Sequence, residues 1–340
     1  MKKYYLLIYS VLSLGIGTTT AQFTDLLNFN GSNGNEPYGS LTLSGSVLYG
    51  MTYFGGANNA GCIFSVDTNG NGYKDLLDFK TTNGANPVGS LILSDSTLYG
   101  MTYEGGAYSS GCIFSIDTNG KEYTDIYDFP GSNGGANPRG SLTLSGNVLY
   151  GMTLNGGING YGNIFSIVNN GSGYKDLYNF SNSNGTYPVG SLTLSGNTIY
   201  GMTEGEITNY GNIFSIDTNG IGYKDLLNFN SLNGASPYGS LTLSGNVLYG
   251  MAELGGGSDS GCVFSINTNG SGYKDLLDFN TTNGAYPYGS LTLSGNTLYG
   301  MTMVGGLHDS GSVFSIDTNG IGYKDLFDFK GSNGRTPIGS

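Results

Sequence analysis

The sequence predicts an all-β protein, a β-propeller of four-stranded blades. Two observations predict it. Short alternating apolar runs are punctuated by Gly, Pro and Asn-Gly at intervals of about ten residues, and no stretch has a helical period. A Gly-Ser pair also recurs about every 50 residues, a period typical of propellers, solenoids and arrays. Its glycines are Gly39, Gly89, Gly140, Gly190, Gly239, Gly289 and Gly339.

Each repeat unit contains four predicted strands. In the first unit they cover residues 40–43, 47–53, 62–67 and 73–79. The third and fourth are joined through Asn69-Gly70, a strong signal for a hairpin, because such turns need positive φ. The complete units begin near residues 39, 89, 140, 190, 239 and 289.

Apolar residues on both faces of the strands predict that the units stack on one another. Ile63 is followed by Phe64, and Leu76 by Leu77. One unit buries too little apolar surface to offset the entropy of ordering its chain, so each sheet needs a neighbour on either side. Radial stacking in a propeller supplies both neighbours, and a linear β-solenoid is the alternative.

The fourth-strand pattern occurs seven times, beginning at Phe23, whereas the other three strands occur six times. We therefore expect six complete blades plus an extra fourth strand over residues 23–29. This count predicts a parent chain that continues beyond Ser340 and closes a seven-bladed ring. The alternative is a six-bladed ring in which residues 23–29 are left over or add an outer strand.

Residues 1–21 are predicted to be a signal peptide, followed by a propeller domain over residues 22–340. Lys2 and Lys3 precede an apolar run over residues 6–16, and small residues lead to a cleavage site before Gln22. The apolar run is too short to span a membrane, so the mature chain has no predicted transmembrane span. We expect it to be extracellular or on the outer cell surface.

Composition excludes several functions. Twelve Lys and Arg against 24 Asp and Glu would repel a nucleic-acid backbone. The chain has one His and three Cys, too few for histidine-based catalysis or dense metal and disulfide frameworks. Cys62, Cys112 and Cys262 share one repeat position with Asn and Ser, which indicates packing. No cofactor, catalytic residue or metal site is predicted.

The repeat signature resembles two families. It is Gly-Ser-Leu-Thr-Leu-Ser-Gly-Asn-x-Leu-Tyr-Gly-Met-Thr-x-x-Gly-Gly, followed by Ile-Phe-Ser-Ile-Asp-Thr-Asn-Gly-x-Gly-Tyr-Lys-Asp-Leu. It is similar to the GloVer-type tandem repeat of bacterial exported proteins over residues 23–340. That resemblance implies an exterior location and a C-terminal anchoring or sorting segment. The Gly55-Gly56 doublet also resembles kelch propeller blades, although the Trp typical of kelch is absent.

The turn between the third and fourth strands has three interpretations. Asp67, Asn69, Asn71, Asp75 and Asp78 have the spacing of a calcium loop, but other copies lose these oxygens and a strand replaces the expected helix. The same segment resembles the Asp-box of sialidase propellers with one extra residue, and an Asp-box is structural. A plain hairpin turn is the default interpretation.

The repeat predicts a binding face. The 2–3 and 4–1 connections of a blade lie on one side of a propeller, and here they vary while the other turns do not. The candidate binding residues in these loops are Tyr53, Phe54, Tyr103, Glu104, Tyr108, Asn155, Tyr161, Glu204, Glu206, Tyr210, Glu253, Asp259, His308 and Asp309.

The main functional hypothesis is a non-enzymatic exported scaffold that binds a protein or glycan at the cell surface through this face. One alternative is a secreted carbohydrate-active enzyme that uses loop carboxylates such as Glu104, Glu204 and Glu253. The other is a purely structural surface protein with no defined ligand. Variation by drift alone would also explain the loops.

Overall fold

The computed structural model describes residues 24–205, 210–332 and 334–339, and within them the chain forms an all-β, six-bladed propeller. Each blade is one sheet of four antiparallel strands in sequence order. No helix occurs among these residues. The fold class is confirmed. The predicted signal peptide and cleavage site lie outside the described residues.

The strand bounds repeat from blade to blade. Blades one and two are β1 (Thr42–Ser44), β2 (Val47–Thr52), β3 (Cys62–Asp67), β4 (Lys74–Asp78), β5 (Ile92–Ser94), β6 (Thr97–Met101), β7 (Cys112–Asp117) and β8 (Thr124–Asp128). Blades three and four are β9 (Thr143–Ser145), β10 (Val148–Thr153), β11 (Asn163–Val168), β12 (Lys175–Asn179), β13 (Thr193–Ser195), β14 (Thr198–Thr203), β15 (Asn212–Asp217) and β16 (Lys224–Asn228). Blades five and six are β17 (Thr242–Ser244), β18 (Val247–Ala252), β19 (Cys262–Asn267), β20 (Lys274–Asp278), β21 (Thr292–Ser294), β22 (Thr297–Thr302), β23 (Ser312–Asp317) and β24 (Lys324–Asp328).

The two hairpin turns of each blade form as the sequence predicts. In the first turn Gly45 has a φ of 60°, a left-handed conformation that suits glycine. In the second turn the backbone N–H of Asp67 donates to the carbonyl of Asn71 at 2.8 Å. The side-chain oxygen of Asn69 accepts from the N–H of Asn71 at 2.9 Å, an Asx turn. Both turns fix the strand register.

The hydrophobic core lies between the blades. Five buried clusters each join two consecutive blades. In the first of them Phe79 meets Phe114 edge to face, with ring centroids 5.3 Å apart. Stacking therefore supplies the burial that one unit lacks, as expected.

A tyrosine hydroxyl ties each blade to the chain that precedes it. Tyr123 donates to the carbonyl of Asn83 at 2.6 Å, and Tyr273 donates to the carbonyl of Asn233 at 2.7 Å. The same bond recurs in every blade. Each connection between a fourth strand and the next blade is thus held by the blade it leads to.

The Gly-Ser pairs lie at the centre of the molecule. A Cβ on Gly89 would lie 2.4 Å from the carbonyl oxygen of Gly140, so only glycine allows this approach. The backbone N–H of Ser90 donates to Oγ of Ser141 at 2.7 Å, and neighbouring pairs repeat the bond. Because six of these pairs and Gly339 line one cavity, the units form a ring and not a linear solenoid.

Residues 24–29 form no strand, although the sequence predicts a fourth strand there. They nevertheless pack on blade one as a fourth strand packs on the next blade, since the Phe29 and Phe64 rings are 5.2 Å apart, edge to face. A fourth strand pairs with the third strand of its own blade, and the described chain places no third strand beside this segment. Residues 24–29 therefore lack the backbone hydrogen bonds of a strand but keep the position in which a fourth strand packs on the next blade.

Candidate functional site

The two variable connections of each blade lie on one face, as the sequence predicts. The backbone of Asn35, in a 4–1 connection, pairs with Phe54, in a 2–3 loop, through an N–H to O distance of 2.8 Å. The same antiparallel bridge joins Ala85 to Glu104 and Ala235 to Leu254. We call this side of the ring the variable-loop face.

A cavity of about 460 Å³ opens at the centre of the variable-loop face, and we call it the central pocket. The Gly-Ser pairs form its wall, and the residue before each pair adds a side chain to the lining. Those residues are Tyr38, Val88, Arg139, Val189, Tyr238, Tyr288 and Ile338. The Gly-Ser wall is the same in every unit, whereas the side chains that line the pocket differ, so a repeated scaffold can present a specific site.

Arg139 and two tyrosines form the polar side of the central pocket. The guanidinium of Arg139 donates to the hydroxyl of Tyr288 at 3.4 Å, and its central carbon lies 6.0 Å from the ring centre of Tyr238. The Tyr238 and Tyr288 rings stack with centroids 4.3 Å apart. Burial raises the pKa of both hydroxyls above the ordinary value, so both stay protonated and can donate.

Two glutamates add negative charge beside these tyrosines. Glu204 follows β14 and accepts a hydrogen bond from the hydroxyl of Tyr238 at 2.5 Å. Glu253 occupies the same place after β18. Burial, with the nearby charge of Glu204, raises the pKa of Glu253 to about 7. Glu204 therefore offers an acceptor that is already bonded to Tyr238, and Glu253 offers a carboxyl that changes charge near neutral pH.

A second aromatic group lies at blade one. The Tyr38 and Tyr53 ring centroids are 5.1 Å apart, and Phe54 meets Tyr53 at 4.5 Å. The hydroxyl of Tyr38 donates to Glu36 at 2.8 Å. Burial, and then Glu36, raise the pKa of Tyr38 to about 12. Burial and the charge of Glu104 also raise the pKa of Tyr53.

Several predicted binding residues lie away from the central pocket. Tyr108, Tyr210 and His308 are exposed on outer loops. Asp259 and Asp309 are exposed but support their own loops, because each carboxylate accepts a hydrogen bond from a backbone N–H, that of Gly255 at 2.9 Å and of Gly305 at 3.1 Å.

Three more predicted residues lie in the variable loops and do not line the central pocket, and a fourth is not described. The amide of Asn155 donates to Asn137 at 3.3 Å, and the Tyr161 ring meets that of Tyr187 at 5.8 Å. Tyr103 is half-buried in the loop that follows β6. Glu206 lies outside the described residues.

Of the five calcium-like residues only Asp75 and Asp78 are close together, and the five form no single cluster. Asn69 uses its side-chain oxygen within the hairpin turn. Asp78, at the other end of β4, accepts from the N–H of Ala57 at 2.9 Å. In the described part of the chain no group of three or more His, Cys, Asp or Glu is arranged to hold a metal ion. The turn forms a β-hairpin held by the Asp67–Asn71 backbone bond and by the Asn69 side chain.

The three cysteines are buried packing residues without disulfides. The sulfur of Cys62 lies 3.3 Å from the hydroxyl oxygen of Thr52, and Cys112 has the same contact with Thr102. Burial raises the pKa of Cys62 to about 11, which keeps it a thiol at neutral pH. Their equivalents Asn163 and Asn212 form hydrogen bonds at the same place.

Sequence reasoning missed the residues in front of the Gly-Ser pairs. Tyr38, Arg139, Tyr238 and Tyr288 line the central pocket. The prediction assigned the 4–1 connections that contain them to the binding face, but it took every candidate residue from the 2–3 loops. The signal was present, because this position varies among Tyr, Val, Arg and Ile beside an unchanging pair.

The family model of the Gloeobacter/Verrucomicrobia repeat matches residues 12–214 and 197–340. The chain belongs to this repeat family. Its membership confirms the resemblance to the GloVer-type repeat. Among curated proteins, none matches this repeat protein in sequence.

Solved structures share the fold at low identity. A GH74 enzyme of Niastella koreensis is 19% identical with a TM-score of 0.61, over 86% of this chain and 45% of that one. A putative 6-phosphogluconolactonase from Bacteroides uniformis is 16% identical with a TM-score of 0.58, over 89% and 87%. A chain of a nidogen/laminin complex is 17% identical with a TM-score of 0.53, over 82% and 94%. These likenesses support the propeller fold alone.

Proposed function

We propose that this repeat protein is exported and acts, at the cell surface or outside the cell, as a binding scaffold for a glycan held in the central pocket. The export half of the proposal rests on the basic start and short apolar run of residues 1–21. No helix of the described chain is long and apolar enough to cross a membrane. The binding half rests on the pocket.

The observation that carries the proposal is the mixture of groups around the central pocket. Tyr238 and Tyr288 provide aromatic faces and hydroxyls, Arg139 provides donors, and Glu204 provides an acceptor. A sugar presents apolar ring faces edged with hydroxyls, each both donor and acceptor, so it matches such a mixed surface. A pocket with few convergent polar groups on a rigid frame is the usual form of a small-ligand site.

A glycan fits this pocket better than a protein surface does. The cavity is concave and holds about 460 Å³, which suits one or two sugar rings at the end of a chain. A protein interface of ordinary size needs a broad contact area of about 800 Å² on each partner. The exposed outer loops could supply that area, but their aspartates Asp259 and Asp309 serve the loops themselves.

A glycan array followed by titration calorimetry tests the proposal. We expect at least one oligosaccharide to bind, and Tyr238→Ala to weaken binding about tenfold, since loss of an aromatic contact and its hydrogen bond removes about 1.4 kcal/mol. Tyr108→Ala is the matched control, because Tyr108 is an exposed tyrosine on the same face but outside the central pocket. Weaker binding by Tyr108→Ala together with unchanged binding by Tyr238→Ala would assign binding to the outer loops and contradict the proposal.

Glycan hydrolysis is the second candidate, favoured by one observation. Glu253, with a pKa of about 7, lies close enough to Glu204 for the charge of Glu204 to affect it, and two neighbouring carboxyl groups of which one has a raised pKa are the usual equipment of a glycoside hydrolase. Chromatography of the bound oligosaccharide separates the two functions. Cleavage that Glu253→Gln abolishes while binding persists would make the chain an enzyme. Intact sugar after long incubation supports the scaffold.

A further inference from the structure

The contact between consecutive blades uses the same residues at each interface. A leucine at the start of the first strand packs against the preceding blade and is almost fully buried. A tyrosine on the second strand packs against the following blade and is 7–8% exposed. These residues are Leu91, Leu142, Leu192, Leu241 and Leu291, and Tyr49, Tyr99, Tyr150, Tyr200 and Tyr249.

Blade one and blade six each leave one of these two surfaces uncovered. On blade one, Leu41 is 46% exposed and Leu43 is 59% exposed. On blade six, Tyr299 is 38% exposed and Met301 is only half-buried. The two surfaces are the complementary halves of the interblade contact, and we call the space between them the seam.

The outer edge of the seam is occupied by residues 24–29. Leu26 presents its carbonyl oxygen to Gly70, as Leu76 does to Gly120 in the next blade. Tyr73 donates to the carbonyl of Asn33 at 3.1 Å, the bond that ties every other blade to a preceding fourth strand. This segment therefore stands where the fourth strand of a further unit would stand.

The inner edge of the seam is occupied by Gly339, the glycine of the seventh Gly-Ser pair. Gly339 lies beside Tyr38 and Gly39, since a Cβ built on it would be 3.6 Å from the Tyr38 carbonyl oxygen. Ile338 and Gly339 also line the central pocket with the other six pairs. The inner edge of the seam therefore carries the glycine that begins a repeat unit, and the outer edge carries the segment that ends one.

We propose that the seam is a docking site for strands one to three of one more unit of the same repeat. Such a segment carries both complementary surfaces. Its first-strand leucine would pack against Tyr299 of blade six, and its second-strand tyrosine would cover Leu41 of blade one. Its third strand would pair with residues 24–29 and convert them into a fourth strand. The occupant is thus specified by a contact that recurs throughout the molecule.

The test uses the full chain and a labelled synthetic peptide of residues 289–318, which contain β21, β22 and β23 of this chain. Fluorescence anisotropy is expected to show saturable binding of one peptide per chain. Leu41→Asp is expected to weaken binding about tenfold or more, because it places a charge where a leucine side chain would be buried. Leu41 is already half-exposed, so this variant should fold normally.

Leu232→Asp is the control, since Leu232 is 81% exposed in a loop away from the seam. It should bind the peptide like the unchanged chain. Absence of peptide binding, or equal loss in both variants, overturns the proposal. A dimer of the chain alone, detected by sedimentation and abolished by Leu41→Asp, would make a second copy the occupant and would also overturn it.

Discussion

The repeat supplies its own matched experiment on interblade stacking. Leu142 and Leu41 lie in the same local sequence, Gly-Ser-Leu-Thr-Leu-Ser-Gly, at the start of a first strand. Leu142 is 3% exposed within the cluster that joins blades two and three, whereas Leu41 is 46% exposed. Truncating each leucine to alanine removes the same side chain from the same local sequence. The two sites differ only in whether a preceding blade packs against the leucine.

The expected losses follow from this burial. Leu142→Ala removes a fully buried side chain and leaves a cavity next to Phe165, at a cost of about 2–5 kcal/mol. Leu41→Ala removes a side chain that already has nearly half of its surface in water and leaves no closed cavity, so it should cost about 1 kcal/mol. The difference measures the contact made by the neighbouring blade.

Thermal and urea unfolding, followed by circular dichroism for the two variants and the unchanged chain, are the assays. We expect Leu142→Ala to lower the melting temperature and the urea midpoint clearly more than Leu41→Ala does. Equal losses would refute the reasoning, because they would mean that local strand structure, and not stacking, carries the stability of each blade.

Two more predictions concern the strand-four carboxylates and the central glycines. Burial, and then the nearby charge of Asp128, raise the pKa of Asp125 to about 6. Ionisation of Asp125 therefore costs folding stability above pH 6 and costs nothing below about pH 4. Asp128→Asn, which copies Asn179 of blade three, should raise the free energy of unfolding by about 0.5–1 kcal/mol at pH 7.5 but not at pH 4, as measured by urea titration. A gain at pH 4 would contradict this. Gly190→Ala should destabilise the fold by several kcal/mol, because its Cβ would lie 2.2 Å from the Gly239 carbonyl oxygen. Gly196→Asp should cost only about 1 kcal/mol, because Gly196 has open space around it. Similar melting temperatures for the two variants would contradict the close approach of Gly190 to Gly239.

Most of the fold could be predicted because the repeat contains signals both for the strands and turns of each blade and for the contacts between blades. The Asn69-Gly70 turn and the alternation around it predict the hairpin, and the paired apolar residues at Ile63 and Phe64 predict a neighbour on each face. The ladder at residues 24–29 could not be predicted, because a strand forms only where its partner lies beside it. The apolar residue Phe29 specifies how this segment packs on blade one, whereas its strand pairing depends on whether a third strand lies beside it.

The candidate site was predicted only in part. Glu204, Glu253 and Tyr53 were identified from loop variation, and the structure brings each of them to the middle of the variable-loop face. The contact of Arg139 with Tyr288 joins residues 149 positions apart in the chain. Only closure of the ring brings them together, so the local sequence contains no sign of their contact.

The most direct test of the central claim is a crystal structure of the chain with the oligosaccharide that binds best. We predict density for a sugar in the central pocket, within hydrogen-bonding distance of Arg139 and Glu204 and against the ring of Tyr238 or Tyr288. Density at the outer loops near Tyr108 or His308, with the central pocket free of sugar, would contradict the account.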